Sequence, residues 1–212
     1  MKHWKKIRMS EISPLVYVID DDDAVRESLT WLISSVDLDV EAYPSAIDFL
    51  DNCADIHAGC VVTDIRMPGI SGLELQKELR NRKINIPIIV ITGHGDVQTA
   101  VQAMKAGAFD FIEKPFNDQQ LLDRVNLAVT HSLSSSEALT RKAKLSRRRE
   151  KLTPRERQIM DLVVAGKANK TIAYQLDISE KTVEAHRAKV MNKMKVTSLA
   201  ELVKIALVIS RD

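Results

Sequence analysis

The acidic pair Asp20-Asp21, Asp64, Thr92 and Lys114 stand far apart in the chain, yet their types form a set suited to phosphoryl transfer. Carboxylates that converge repel one another unless a cation sits among them, and hard oxygen ligands with room for water suit Mg²⁺. A lysine adds a fixed positive charge and a threonine a hydroxyl donor, the groups needed to hold phosphoryl oxygens beside a metal ion. Asp64 is then the nucleophile, and its product an aspartyl phosphate. The run Asp20-Asp21-Asp22-Asp23 has a second use, since Asp22 or Asp23 can cap a helix starting near Ala24.

Such a set works only if the fold brings it to one place. Short apolar runs recur at Leu15–Ile19, Val40–Tyr43, Cys60–Val62, Ile88–Ile91 and Phe109–Ile112, separated by stretches with helical spacing such as Val25, Leu29, Leu32, Ile33 and Leu73, Leu75, Leu79. Strand followed by helix, five times over, predicts an α/β domain with a doubly wound parallel sheet and helices on both faces. Functional groups in such sheets gather at the carboxyl ends of the strands. Asp20-Asp21 follow the first run, Asp64 the third, Thr92 the fourth and Lys114 the fifth.

The rest of the chain differs in charge. Residues 14–127 carry nine basic and nineteen acidic side chains, whereas residues 128–212 carry eighteen basic and nine acidic, within a net charge of +2. That asymmetry points to a polyanion partner for the C-terminal part alone. Thr130–Lys151 is Ser-, Lys- and Arg-rich and reads as a linker, or as a continuation of the helix beginning near Asp118, since it has neither Gly nor Pro. Thr153-Pro154-Arg155-Glu156 forms a capping box with proline at the first helical position, and Gly166 ends that helix. Asn169 caps a second helix through Leu176, Ser179 a third to about Lys195, and Ser198 with Glu201 a fourth. The second and third, joined at Asp177-Ile178, fit a helix-turn-helix. At ~100° per residue, Val183, Val190 and Met194 face inward, while Lys181, Glu184, Ala185, Ala188 and Asn192 face outward with Lys189 at the edge. The outward residues are candidate base readers, and Lys170, Lys181, Arg187, Lys189 and Lys193 candidate phosphate contacts; Arg187 and His186 also lie near the packed side.

VYVIDDDDAVRESL, VVTDIRMPGISGLEL and IIVITGHGDVQTAVQAMKAGAFDFIEKPF, in that order, resemble the receiver domain of bacterial two-component response regulators. LTPRERQIMDLVVAGKANKTIAYQLDISEKTVEAHRAKVMNKMKV resembles the four-helix DNA-binding domain of LuxR-type regulators, most specifically at Thr182-Val183-Glu184-Ala185-His186. Together the chain is similar to FixJ/NarL-type response regulators, in its receiver wording to the FixJ-like branch. The resemblance implies a flavodoxin-like receiver over 14–128, a linker over 129–150 and an all-α helix-turn-helix domain over 151–212. It implies phosphorylation of Asp64 by a histidine kinase, Mg²⁺ held by Asp21, Asp64 and the Arg66 backbone carbonyl with Asp20 acting through water, and switch and anchoring roles for Thr92 and Lys114. Asp22 is the alternative to Asp21 by a one-residue shift. Phe111 is the aromatic residue that changes rotamer with the switch, and a cis Lys114-Pro115 bond would aim Lys114 into the pocket. The expected partners are promoter DNA, a second copy of the chain on phosphorylation, through the receiver or the last helix (Ser198 to about Ile209), and RNA polymerase. Glu184 stands where relatives often have a basic residue.

Other classes fit less well. No apolar run reaches the ~18–20 residues of a membrane span, and Lys2, Lys5, Lys6 and Arg8 precede no long apolar core, so a cytoplasmic protein is expected. Met1 and Met9 are alternative starts, the second of which removes those four cations. Cys53 and Cys60 match no zinc or disulfide pattern and read as reduced, small apolar residues. A haloacid-dehalogenase-type phosphohydrolase needs a carboxylate two residues after the nucleophile, where Arg66 stands. A dinucleotide fingerprint fails because Gln98 occupies the third glycine position after Gly93-His94-Gly95. A constitutive DNA-binding regulator with a metal-sensing or vestigial pocket is the remaining rival, and it needs neither Thr92 nor Lys114.

Overall fold

The computed structural model describes residues 13–53, 56, 58–93 and 97–210. The basic N-terminal arm, the alternative starts and the loop residues His94 and Gly95 lie outside them. Contacts divide the chain into two compact units between Ser136 and Glu137.

In the first unit, β1 (Leu15–Ile19), β2 (Asp39–Tyr43), β3 (Gly59–Asp64), β4 (Ile88–Thr92) and β5 (Asp110–Glu113) alternate with α1 (Asp23–Ser34), α2 (Ala46–Asn52), α3 (Gly72–Asn81) and α4 (Val97–Lys105), and α5 (Asp118–Glu150) begins there. The strands pair in parallel in the order β2-β1-β3-β4-β5. Alternation within the strands separates two cores. Val16, Val18, Cys60, Val62, Ile89 and Ile91 pack against Leu29 and Ile33 of α1 and Leu121 and Val125 of α5. Tyr17, Ile19, Val61 and Val90 pack with Phe49 of α2, Leu75 and Leu79 of α3 and Ala103 of α4. The expected doubly wound sheet with helices on both faces is therefore present. The fifth strand begins one residue later than the apolar run, at Asp110, although the Phe109 N–H already donates to the Ile88 carbonyl at 2.8 Å.

Register places the functional edge. Ile19 lies opposite Thr63, Asp64 opposite Ile91 and Thr92 opposite Glu113, so Asp20, Asp64, Thr92 and Lys114 emerge at the same carboxyl edge. Gly59 makes the β1–β3 approach feasible: its φ is +145°, and a Cβ there would lie 1.8 Å from the Leu15 carbonyl oxygen. Its N–H donates to the buried Ser132 hydroxyl at 3.0 Å.

Helix α5 extends through the Ser-rich segment. The polar composition of Thr130–Lys151 suited a loop equally well, but it contains no helix breaker, and Val129 and Ser132 are buried on the sheet side. In the second unit follow α6 (Pro154–Val164), α7 (Asn169–Leu176), α8 (Glu180–Met194) and α9 (Leu199–Ser210). Leu152, Ile159, Met160, Val163, Ile172, Val183, Val190, Met194 and Leu202 form their core. Thr153 and Glu156 make the expected capping box, and Gly166 has φ +76° just beyond the end of α6. Two caps differ from expectation. Ala168, not Asn169, precedes α7, and the Asn169 side chain instead accepts from Arg187. Ser198 accepts from the Glu201 N–H at 3.2 Å, but the Glu201 carboxylate reaches back one residue further, to the Thr197 N–H at 2.9 Å. Among the described residues no helix is long and apolar enough to cross a membrane.

Candidate functional site

At the carboxyl edge of the sheet, Lys114 bridges two carboxylates. Its Nζ lies 3.1 Å from Asp20 Oδ2 and 3.1 Å from Asp64 Oδ1. The Lys114 N–H donates to the Thr92 carbonyl at 2.8 Å, which ties the lysine to the end of β4, and the Lys114–Pro115 peptide bond is cis. The remaining carboxylate oxygens are also engaged: Asp64 Oδ2 accepts from the Arg66 N–H at 2.6 Å, and Asp20 Oδ1 from the Asp22 N–H at 3.0 Å. Asp20 and Thr92 are buried, Asp64 half-buried and Asp21 exposed. Asp22 accepts from the Ala24 and Val25 N–H groups as the cap of α1, so its carboxylate is engaged in starting the helix and Asp21 keeps its place in the register. Phe111 is half-buried and packs on the face covered by α2, α3 and α4.

Burial opposes the charge on Lys114, but the hydrogen bonds and charges of Asp20 and Asp64 outweigh it and raise its pKa above the ordinary lysine value. The expected gathering of three carboxylates is not the arrangement found. Among the described residues no group of three or more His, Cys, Asp or Glu is placed to hold a metal ion; Lys114 stands between Asp20 and Asp64, and Asp21 is exposed. The donor chemistry nevertheless fits Mg²⁺, which takes one or two carboxylates, keeps several waters and accepts only hard oxygens. Arg26 is a residue that sequence reasoning missed: its Nη1 donates to the Asp20 carbonyl at 2.7 Å and its Nη2 to Asp23, fixing the β1–α1 turn. An arginine one turn into a helix after an acidic strand end is the signal that was there to find.

The second candidate surface is α8, with Ser179 capping it and Asp177 supplying the left-handed turn at φ +51°. Lys181, Glu184, Ala185, Ala188, Lys189 and Asn192 are exposed on α8, as is Lys170 on α7, while Val183, Val190 and Met194 are buried. Thr182 is half-buried, its hydroxyl 2.8 Å from that of Ser179. Two expected phosphate contacts have internal partners. Arg187 Nη1 donates to Asn169 Oδ1 at 2.6 Å, joining the two helices of the helix-turn-helix. Lys193 Nζ lies 2.6 Å from Oε2 of the buried Glu156, and together with the Thr153 N–H it holds that carboxyl below the usual glutamate range. The sequence offered Lys193 only as a phosphate contact, and the tertiary contact to α6 reveals its partner. His186 is half-buried, and its Nδ1 has no hydrogen-bond partner among the described residues.

Comparison with known proteins matches residues 16–126 to the response regulator receiver domain and residues 150–206 to the bacterial regulatory proteins of the luxR family. The transcriptional regulatory protein FixJ of Azorhizobium caulinodans is 52% identical over 192 residues, covering 91% of each chain. FixJ of Rhizobium meliloti is 48% identical, covering 91% of this chain and 94% of that protein. Among solved structures, the response regulator StyR is similar with a TM-score of 0.84 at 42% identity, covering 92% of this chain and 98% of that one. Full-length FixJ from B. japonicum is similar with a TM-score of 0.58 at 43% identity, covering 92% and 97%. With an acidic pocket at the edge of a parallel sheet and a helix-turn-helix later in the chain, the chain belongs to the FixJ-like response regulators, a receiver domain joined to a LuxR-type DNA-binding domain.

Proposed function

We propose that this chain is a cytoplasmic, phosphorylation-dependent transcriptional regulator of a two-component system, in which a histidine kinase phosphorylates Asp64 and the modified receiver (14–128) controls dimerisation and promoter binding by the C-terminal domain (151–212). The observation that carries this reading is Lys114, held 3.1 Å from both Asp20 and Asp64 beside the buried Thr92. In the transfer step an Asp64 carboxylate oxygen attacks the phosphorus, the donor's nitrogen–phosphorus bond breaks, and the imidazole leaves. The Arg66 N–H fixes Oδ2 and so orients the other oxygen, Oδ1, for attack. Lys114, already at Oδ1, is positioned to pair with the phosphoryl oxygens that arrive there. Thr92 then donates its hydroxyl to the same group, and Phe111 repacks in response.

Receiver domains use Mg²⁺ for this reaction, and the bound ion supplies charge neutralisation for the phosphoryl oxygens. Asp21, Asp64 and the Arg66 carbonyl would hold it, with Asp20 acting through water. Beside Lys114, a groove of about 410 Å³ lined by Val25, Leu29 and Leu32 of α1 with Pro115 and Phe116 supports docking of the kinase's histidine-bearing segment. On DNA, Ala185, Ala188, Glu184 and Asn192 read base edges, with Thr182 near the start of α8, and Lys170, Lys181 and Lys189 contact phosphates. RNA polymerase is the further partner of this reading, and the receiver acts on no substrate beyond its own phosphoryl group.

The test is the intact mass after incubation with Mg²⁺ and a small-molecule phosphodonor. One added phosphoryl group, absent without magnesium and absent in Asp64→Asn, is the expected result. No adduct under conditions that modify a known receiver would remove the receiver half of the proposal.

A further inference from the structure

A second basic surface lies within the C-terminal unit, at the end of α8. A cleft of about 570 Å³ is lined by Lys144, Arg147 and Arg148 of α5, by Lys151 just beyond it, and by Lys195 at the end of α8, with no acidic residue in its lining. Arg148 explains itself: its Nη1 donates to the Met194 carbonyl at 3.2 Å, which pins the end of α5 to the C-terminus of α8 and complements the helix dipole there. One guanidinium meets that need, and four cations remain. Among the described residues none of Lys144, Arg147, Lys151 and Lys195 forms an ion pair, whereas Arg149 pairs with Asp161 and Lys193 with Glu156. Like charges held around one cleft repel one another, and a bound anion relieves that repulsion. Lys195 adds a backbone observation, since it adopts φ +55° at the end of α8, a conformation that favours glycine or asparagine. A lysine there keeps a cation in the cleft lining despite that conformation.

We infer that this cleft binds the phosphodiester backbone of duplex DNA flanking the groove read by α8. The occupant follows from continuity: Lys195 directly succeeds Met194, and Asn192, three residues earlier, is exposed on α8, so a strand running past the end of that helix meets Lys195 and then the α5 cations. A polymer of closely spaced phosphates matches several cations in one cleft better than a single small anion does. The inference rests on the DNA-binding reading above.

The test uses the full chain, treated with phosphodonor and Mg²⁺, and a mixed-sequence duplex of about 30 base pairs, since backbone contacts are independent of sequence. Each lost phosphate contact lowers the slope of log K against log salt by about 0.9, so Lys144→Gln alone should lower it by about 0.9 and the triple variant Lys144→Gln, Arg147→Gln, Lys151→Gln by about 2.7 per bound protomer. All three positions line an open cleft, and amide exchange of α6–α8 checks that the domain stays folded. An unchanged slope in a folded triple variant would overturn the inference. Unchanged duplex binding together with lost binding of inorganic tripolyphosphate would overturn it too, by assigning the cleft to a soluble anion. Absence of duplex binding by the parent chain would instead refute the DNA-binding reading itself, and with it this one.

Discussion

Replacing Lys193 by methionine separates the phosphate contact expected from the sequence from the internal ion pair found in the structure. In the structure its ammonium sits 2.6 Å from Glu156 Oε2, a carboxylate that also closes the capping box of α6 by accepting from the Thr153 N–H at 2.8 Å. Lys193→Met leaves that buried carboxylate with the Thr153 donor alone. A hydrogen bond to a charged group contributes ~1.5–3 kcal/mol, and since the Lys193 side chain is 37% exposed, solvent screening favours the lower figure, about 1.5 kcal/mol. Amide exchange of peptides from α6 and α8 should then accelerate by roughly tenfold at neutral pH. The pH dependence has a definite sign. Lys193 and Thr153 depress the Glu156 pKa below 4.5, so the stabilisation is complete above that value and is lost as pH falls through the lowered pKa. The difference between parent and variant should therefore shrink on acidification. Unchanged exchange at neutral pH, accompanied by a lower salt slope for DNA binding, would refute the structural role and restore Lys193 as a phosphate contact.

Three further outcomes follow from the geometry. Lys114→Ala should slow formation of the phosphoryl adduct by about 10²–10³-fold, the usual effect of removing a preorganised charge, as measured by time-resolved intact mass; an unchanged rate would exclude Lys114 from the transfer site. Gly59→Ala should destabilise the receiver by about 3 kcal/mol in urea unfolding, because its Cβ would meet the Leu15 carbonyl oxygen at 1.8 Å on a backbone at φ +145°. Burial pushes the Cys60 thiol up to about 12, so thiol reagents should label it only after unfolding; rapid labelling of the native chain at pH 8 would contradict its place in the core.

What the sequence disclosed was whatever depends on neighbours in the chain. Apolar runs such as Leu15–Ile19 and Ile88–Ile91 locate the strands, and the sheet rule then places Asp20, Asp64, Thr92 and Lys114 on one edge. The Thr153–Glu156 box and the inward stripe of Val183, Val190 and Met194 were legible for the same reason. What escaped depends on contacts across the fold. Glu156 and Lys193 are 37 residues apart, and Asn169 and Arg187 18 apart, so neither pair leaves a local pattern. The Ser-rich segment stayed open between linker and helix because polar composition describes a solvated helix face as well as a loop, while its one buried hydroxyl, Ser132, has its partner at Gly59. In the acidic pocket the residues were legible and their mutual arrangement was not: nothing local says that Lys114 stands between two aspartates while Asp21 faces solvent.

The central claim is that the charge on Asp64 controls the DNA-binding domain. Its most direct test is the affinity of the full chain for duplex DNA carrying a site selected from random sequence, measured at fixed salt before and after treatment with phosphodonor and Mg²⁺, beside Asp64→Asn. The account predicts a change of about 5–150-fold on treatment, the range of an ordinary coupling free energy, and no change in Asp64→Asn. Equal affinity before and after, with the phosphoryl group confirmed by mass, would contradict it.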